Sequence, residues 1–279
     1  MNTNHDLAAA TPRRRKRGTL FVIGRQPERP GYLSISIGVF VLLALAWWAA
    51  TNLGLVSPIF LPSPQAVGQR LAKLAADGTL WTDLSVSLYR IAIAFAISSV
   101  MSIVIGVLAG CYGFWKASIE PFVDFVRYMP VVAFVPLTIL WSGTGDVQKF
   151  LIIWMGTFFQ QVLMVMDSVK RVPGDFVGLG RTLGMSDRRI LIKIVLPSAF
   201  PGIWDALRIS LGWAWTWLVL AELVASNSGL GYRITVSQRF FQTDTIIGYI
   251  LLLGVLGLIT DQAMRAAEKV LFRYNRRRP

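Results

Sequence analysis

Histidine and cysteine are almost missing from this chain, which carries one of each, His5 and Cys111, in 279 residues. A single cysteine excludes an intrachain disulfide framework, and a single histidine in a polar tail argues against a zinc site or histidine-based catalysis. Charge is scarce as well: 15% of residues are charged and 54% hydrophobic, whereas a soluble domain carries about a quarter charged residues. Water is therefore not its main solvent. No phosphate loop of the form G-x-x-x-x-G-K-S/T is present, so any ATP the protein uses is bound by another polypeptide. Gly178, Gly180 and Gly184 mimic a dinucleotide loop only loosely, because their spacing is wrong and they follow no strand.

What the chain does have is apolar length. Charge-poor stretches near the ~20 residues needed to cross a bilayer centre on Leu33 to Ala50, Ile91 to Cys111, Tyr128 to Trp141, Phe150 to Met166, Ile209 to Ala221 and Thr245 to Thr260. The fifth is short unless it continues back through Arg208 and Asp205, which neutralise each other at i and i+3. The expectation is an all-α integral membrane protein with six transmembrane helices, forming one membrane domain over 31–273. Mobile basic tails at 1–30 and 274–279 flank it. A cleaved signal peptide would need a small-residue site soon after a short apolar run, and none is convincing.

The net charge of +13 does not imply nucleic acid, since the basic residues sit at the edges of apolar runs and not on one soluble face. They report orientation. With the N-terminus inside, the cytoplasmic side collects Arg13 to Arg17, Lys116, the loop from Lys170 to Lys193, and the tail from Arg265. The outside keeps only Arg70, Lys73, Lys149, Arg233 and Arg239. Lysine and arginine concentrate on the cytoplasmic side, so both termini are expected there.

Within the second span, Ala94, Ser98, Ser102, Gly106 and Gly110 recur every fourth residue, a small-residue stripe that suits close helix packing. Arg127 and Arg208 are candidate anion partners, but Asp124 and Asp205 precede each by three residues and favour structural pairing. Arg90 and Glu222 have no opposite charge at helical spacing. Each either snorkels to the interface or finds a partner across spans. The sharper expectation is that they meet near an outer gate, and that Arg90→Glu with Glu222→Arg restores part of what either single change loses. Trp213 and Trp217 join Arg90, Arg127, Arg208 and Glu222 as candidate pathway or gate residues.

The connection KRVPGDFVGLGRTLGMSDRRILIKIVLPSAFP, from Lys170 to Pro201, is too organised for a spacer. Pro173 and Asp175 suit a helix start, Gly184 a positive-φ stop and Ser186 the cap of the next helix. Asp187 to Leu196 is expected to be amphipathic, with Pro197 separating it from the fifth span. Physics alone leaves two roles open: a knob that docks on a partner, or a helix lying on lipid headgroups.

The same residues resemble the loop signature of binding-protein-dependent ABC importer permeases, in which a glutamate-alanine-alanine triplet is followed at fixed intervals by glycine and by isoleucine-x-leucine-proline. Gly184, Ile194, Leu196 and Pro197 fall in that register. The triplet positions are Gly178, Leu179 and Gly180, so its glutamate is absent, and Asp175 is the nearby acid placed to compensate. Arg188 completes the candidate ATPase-coupling residues. The likeness runs from about Trp47 to Arg273, through VSPIFLPSP at Val56, SLYRI at Ser87, RYMPVVAFVPLTILWSG at Arg127 and AELVASNSGLGYRI at Ala221, wording similar to the nitrate, sulfonate and taurine branch. The resemblance implies a type I importer (MetI-like) transmembrane domain in a bacterial inner membrane. It implies a second permease copy, two separate ATP-binding subunits carrying ATP and Mg, an external solute-binding protein, and no catalysis or bound cofactor in this chain. The branch suggests a small anion as cargo, such as a sulfonate, taurine, nitrate or a carboxylate. The alternatives are a secondary carrier, which would show repeated halves, and a polytopic membrane enzyme, which would show inward His, Asp or Cys clusters.

Overall fold

A computed structural model describes residues 29–272. The tails expected at 1–30 and 274–279, with their basic clusters and His5, lie outside the described residues except for Arg29 and Pro30. Every regular element among the described residues is helical, and the chain divides into two compact units, Met1–Ser57 and Pro58–Pro279.

The first unit contributes α1 (Arg29–Asn52). Val39, Phe40, Leu42, Leu43 and Leu45 are all exposed along it, and a helix apolar on every side belongs in lipid or a core.

The second unit begins with α2 (Pro64–Ala76), where Ser63 caps the start through a 3.2 Å bond from Ala66 N–H. Next come α3 (Thr79–Cys111), α4 (Gly113–Arg127), a 3-10 turn (Val131–Phe134) and α5 (Val135–Ser142). They are followed by α6 (Asp146–Lys170), α7 (Gly174–Thr182), α8 (Asp187–Ile190), a π-helical turn (Leu191–Val195), α9 (Leu196–Ala225), α10 (Leu230–Arg239) and α11 (Thr243–Leu271).

Among the described residues five helices are long and apolar enough to cross a membrane, and a sixth crossing exists if α4 and the segment Val131–Ser142 count together. That pair bends by 86°, so the third span expected as one run over Tyr128–Trp141 is broken. Pro130 has no N–H for a helical bond and disfavours helix at Met129; the helix stops at Arg127 and restarts after the 3-10 turn, with Pro136 tolerated in the first turn of α5.

The core of the second unit is α3 and α9 packed on α6. Ile152, Ile153, Val162, Val165, Ala94, Ala214 and Leu218 are fully buried there. The small-residue stripe is the α3 contact with α6: a Cβ on Gly106 would lie 2.7 Å from Val165 Cβ, and one on Gly110 2.7 Å from Val169 Cβ. Between these glycines and Ala94, a polar ladder crosses all three helices. Ser98 Oγ donates to Gln161 Oε1 at 2.7 Å, Ser102 Oγ bonds the same oxygen at 3.1 Å, and Gln161 Nε2 donates to Ser210 Oγ at 2.8 Å. Interhelical hydrogen bonds in a bilayer contribute about 0.6–2 kcal/mol each. Gln161→Leu removes these interhelical bonds, while Ser98, Ser102 and Ser210 fall back on Thr157 Oγ1 and on the carbonyls of Ser99 and Leu207. We expect it to destabilise the fold by roughly 1–3 kcal/mol, read as a lowered Tm in detergent; an unchanged Tm would show the ladder to be dispensable.

Candidate functional site

Three places in the second unit gather the chemistry-bearing residues.

At one end of the bundle, the 170–201 connection folds into a helical knob. The last turn of α7 closes through Gly184, at φ +69°, with Gly184 N–H bonded to Arg181 O at 2.9 Å and Met185 N–H to Gly180 O at 3.0 Å. This pair of bonds satisfies the carbonyls left over at the helix end. Ser186 stands at the N-cap of α8 with extended backbone, but its side chain makes no capping bond; its carbonyl instead accepts from Arg189 and Ile190 N–H. Gly180 is a contact residue, since a Cβ there would sit 2.9 Å from Ile194 Cδ1 and 3.1 Å from Ile190 Cγ1. Gly178 has open space around it.

Ile190 and Val195 are buried in one cluster with Val107, Val165 and Val169 of α3 and α6, which ties the knob to the bundle. Asp175, Arg188 and Pro197 are exposed, and Leu196 is half-buried. The expected separation at Pro197 does not occur, because α8, the π turn and α9 run on as a single span from Asp187 to Ala225. The wider π turn bonds Leu196 N–H to Leu191 O and opens the space that the proline ring would otherwise contest.

At the opposite end, Arg90 and Glu222 meet. Arg90 Nη1 lies 2.8 Å from Glu222 Oε1, and its Nε 2.8 Å from Asp146 Oδ1. Arg90 Nη1 also donates to Ser228 O at 2.7 Å. Glu222, with no exposed surface, accepts from Ser87 Oγ at 2.8 Å and from Gly231 N–H at 2.9 Å.

Sequence reasoning missed the neighbours. Asp83 of α3, 1% exposed, accepts from Arg233 Nε at 2.8 Å, Tyr249 Oη at 2.9 Å and Gly229 N–H at 3.3 Å. Together with the bonds from Leu230 N–H to Ser87 Oγ at 2.9 Å and from Gly231 N–H to Glu222, side chains of α3 and α9 meet three successive N–H groups at the start of α10, which lack partners within their own helix. Lys149, expected in an outer loop, is buried, and its Nζ donates to the carbonyls of Thr144 and Ala225. The signal for Asp83 and Ser87 was present: they continue the small-residue face of α3 past Ala94 through Arg90.

The third place is a cavity of about 450 Å³ at the broken span, lined in part by Arg127, Tyr128, Gln160, Trp213, Thr216 and Trp217. Arg127 pairs with Asp124 at 3.1 Å, as its spacing suggests. Arg208 is elsewhere, held by Asp205 at 3.0 Å and by Asp261 of α11 at 3.4 Å. The six pathway candidates therefore fall into three groups.

A bundle of apolar spans with buried ion pairs at one end and an ordered helical knob at the other defines a membrane-spanning transport component. The chain belongs to the family described as binding-protein-dependent transport system inner membrane component, whose model matches residues 102–273. It is 32% identical over 244 residues to the taurine transport system permease protein TauC of Escherichia coli, covering 86% of this chain and 89% of that one. It is likewise 32% identical over 247 residues to the putative aliphatic sulfonates transport permease protein SsuC of Bacillus subtilis, covering 88% and 89%. The bicarbonate transport system permease protein CmpB of Synechococcus elongatus is 27% identical over 70% of each chain. In fold it is similar to a chain of the inward-facing MetNI methionine ABC transporter, at TM-score 0.58 and 19% identity over 67% of this chain and 95% of the other. It is thus a non-catalytic permease subunit of an ABC importer, with the type I transmembrane fold. Family membership brings a solute-binding protein and an ATPase as partners.

Proposed function

We propose that this permease pairs with a second copy, docks a separate ATPase on each 170–201 knob, and imports a small organic anion delivered from outside. ATP and Mg belong to the ATPase. The observation that carries this reading is the build of the knob. α7 is seated on Ile190 and Ile194 through Gly180 and leaves Phe176, Leu179 and Leu183 exposed on one stripe, beside the cations Arg181, Arg188 and Arg189. A rigid lever with an apolar face is what transmits motion from a partner. The lipid-lying alternative is disfavoured, because the apolar side of the second segment, Ile190 and Val195, is already covered by α3 and α6. The concentration of lysine and arginine in this loop supports a cytoplasmic knob and cytoplasmic termini. The anion assignment is supported by the cargo named for the taurine and sulfonate relatives.

Gly184→Val tests the docking. A β-branched residue at φ +69° is strained by about 1–3 kcal/mol, enough to redirect the knob while the spans stay inserted. The expected result is ATP hydrolysis without matching uptake in proteoliposomes holding the chain, its ATPase and the binding protein. Uptake at the wild-type level would overturn the docking role. Efficient uptake of a solute that carries no anionic group, loaded on that binding protein, would overturn the anion assignment.

A further inference from the structure

The cavity at the broken span lies half-way along two long helices. Gly156 and Gln160 are near the middle of α6, and Trp213, Thr216 and Trp217 come from the interior of α9. At that depth the backbone from Tyr128 to Pro130 is irregular. Non-helical backbone inside a bilayer is tolerated only where protein buries it or where it lines a watery cavity, and an arginine at such depth faces the same kind of space. The break and Arg127 therefore both mark this cavity as part of a solute route.

Its chemistry is specific. Arg127 is held by Asp124 at 3.1 Å and by Tyr128 Oη at 3.0 Å, with its guanidinium 4.8 Å above the Tyr128 ring. That leaves N–H donors over for a ligand. Asp124 offsets the charge, so the field on a bare anion is weak. Gln160 and Thr216 add polar groups, while Phe134, Phe159, Trp213 and Trp217 supply aromatic surface. Trp217 lies against Gly156 so closely that a Cβ there would be 2.4 Å from its Cδ1 and Cγ; the glycine makes room for the indole.

We infer that this cavity is a transit site for an organic anion with a flat aromatic body, and that it discriminates against small inorganic oxyanions. The anionic head meets Arg127 and the ring is buried among aromatic side chains, which favour stacked or edge contacts. Stripping water from sulfate or nitrate would need more donors and more positive charge than this site holds. The inference rests on the permease reading above and assigns the solute a stop within the membrane-spanning chain itself.

Equilibrium dialysis of the purified complex of this chain with its ATPase, using radiolabelled benzenesulfonate as probe, tests it. Saturable binding that excess sulfate does not displace is expected. Arg127→Gln, which loses the anion's partner, and Gly156→Ala, which pushes Trp217 into the cavity, should each weaken binding by about tenfold or more. Gly212→Ala, on α9 with nothing within 4 Å of the added Cβ, should keep the affinity. If Gly156→Ala fails to assemble, Thr216→Val keeps the shape and should still lose a few-fold. Absent or non-saturable binding, displacement by sulfate at equal concentration, or full affinity in Arg127→Gln would overturn the inference. A complex that imports at the expense of ATP yet shows any of these outcomes overturns the transit site alone. A chain that binds benzenesulfonate but never associates with an ATPase overturns the permease reading.

Discussion

Arg90→Ala is expected to destabilise the protein by roughly 3–5 kcal/mol, the usual cost of stripping one partner from a buried ion pair, and to stop uptake. The reason is what remains. Glu222 would be left with no exposed surface and no cationic partner, Asp146 would lose its 2.8 Å partner and the carbonyl of Ser228 its 2.7 Å donor. In the proposed importer these groups hold the outer end of α3, α6 and α9 together around the Ser226–Gly229 turn, on the side a binding protein would approach. A Tm in detergent and an uptake rate both close to wild type would sink this account.

The companion experiment reverses an expectation drawn from sequence. A bare pair of opposite charges should tolerate exchange, but this one is embedded in directional bonds. Glutamate at position 90 would face the Asp146 carboxylate and the Ser228 carbonyl, both acceptors. Arginine at position 222 would confront Gly231 N–H, a donor that now has an acceptor. Arg90→Glu with Glu222→Arg should therefore be no better than the worse single variant, and recovery of even partial uptake would show the pair to act as simple charges.

Gly229→Ala should be comparably severe, although it removes one hydrogen atom and adds a methyl group. Gly229 sits at φ +110°, where an L side chain is strained by about 1–3 kcal/mol. Its Cβ would also fall 2.3 Å from Glu222 Oε1, and overpacking adds about 1–3 kcal/mol more. The carboxylate cannot step aside, because Arg90, Ser87 and Gly231 already define its position. We expect poor folded yield on size exclusion and a Tm far below wild type. Gly212→Ala, in open helical surroundings, should be neutral or slightly stabilising. Equal behaviour of the two variants would mean that the Gly229 turn is free to rearrange.

Much of this was legible in the chain. Helical spacing put Asp124 beside Arg127 and Asp205 beside Arg208, since i,i+3 contacts depend on local geometry alone. Gly184 was readable for the same reason: a positive-φ stop is a property of one residue and its neighbours. The small-residue face of α3 told that something packs closely there, but not that Val165 and Val169 do so. Pro197 was misread because a local rule about proline takes an ordinary α-helix as its reference, and the π turn before it relaxes the clash.

Apolar run length, the edges where charge collects and the spacing of glycine and proline determined, without any tertiary information, a multi-span helical membrane protein with an ordered knob between two of its spans. Those features act over a few residues or through the bilayer, and neither depends on which helices become neighbours. Only the tertiary structure decided that Asp83 serves Arg233 and Tyr249, that Lys149 is buried, and that the cavity beside Arg127 and Tyr128 is shared with Trp213 and Trp217. A buried charge or a cavity wall is satisfied by groups far away in sequence, and no local pattern encodes which distant partner will face it.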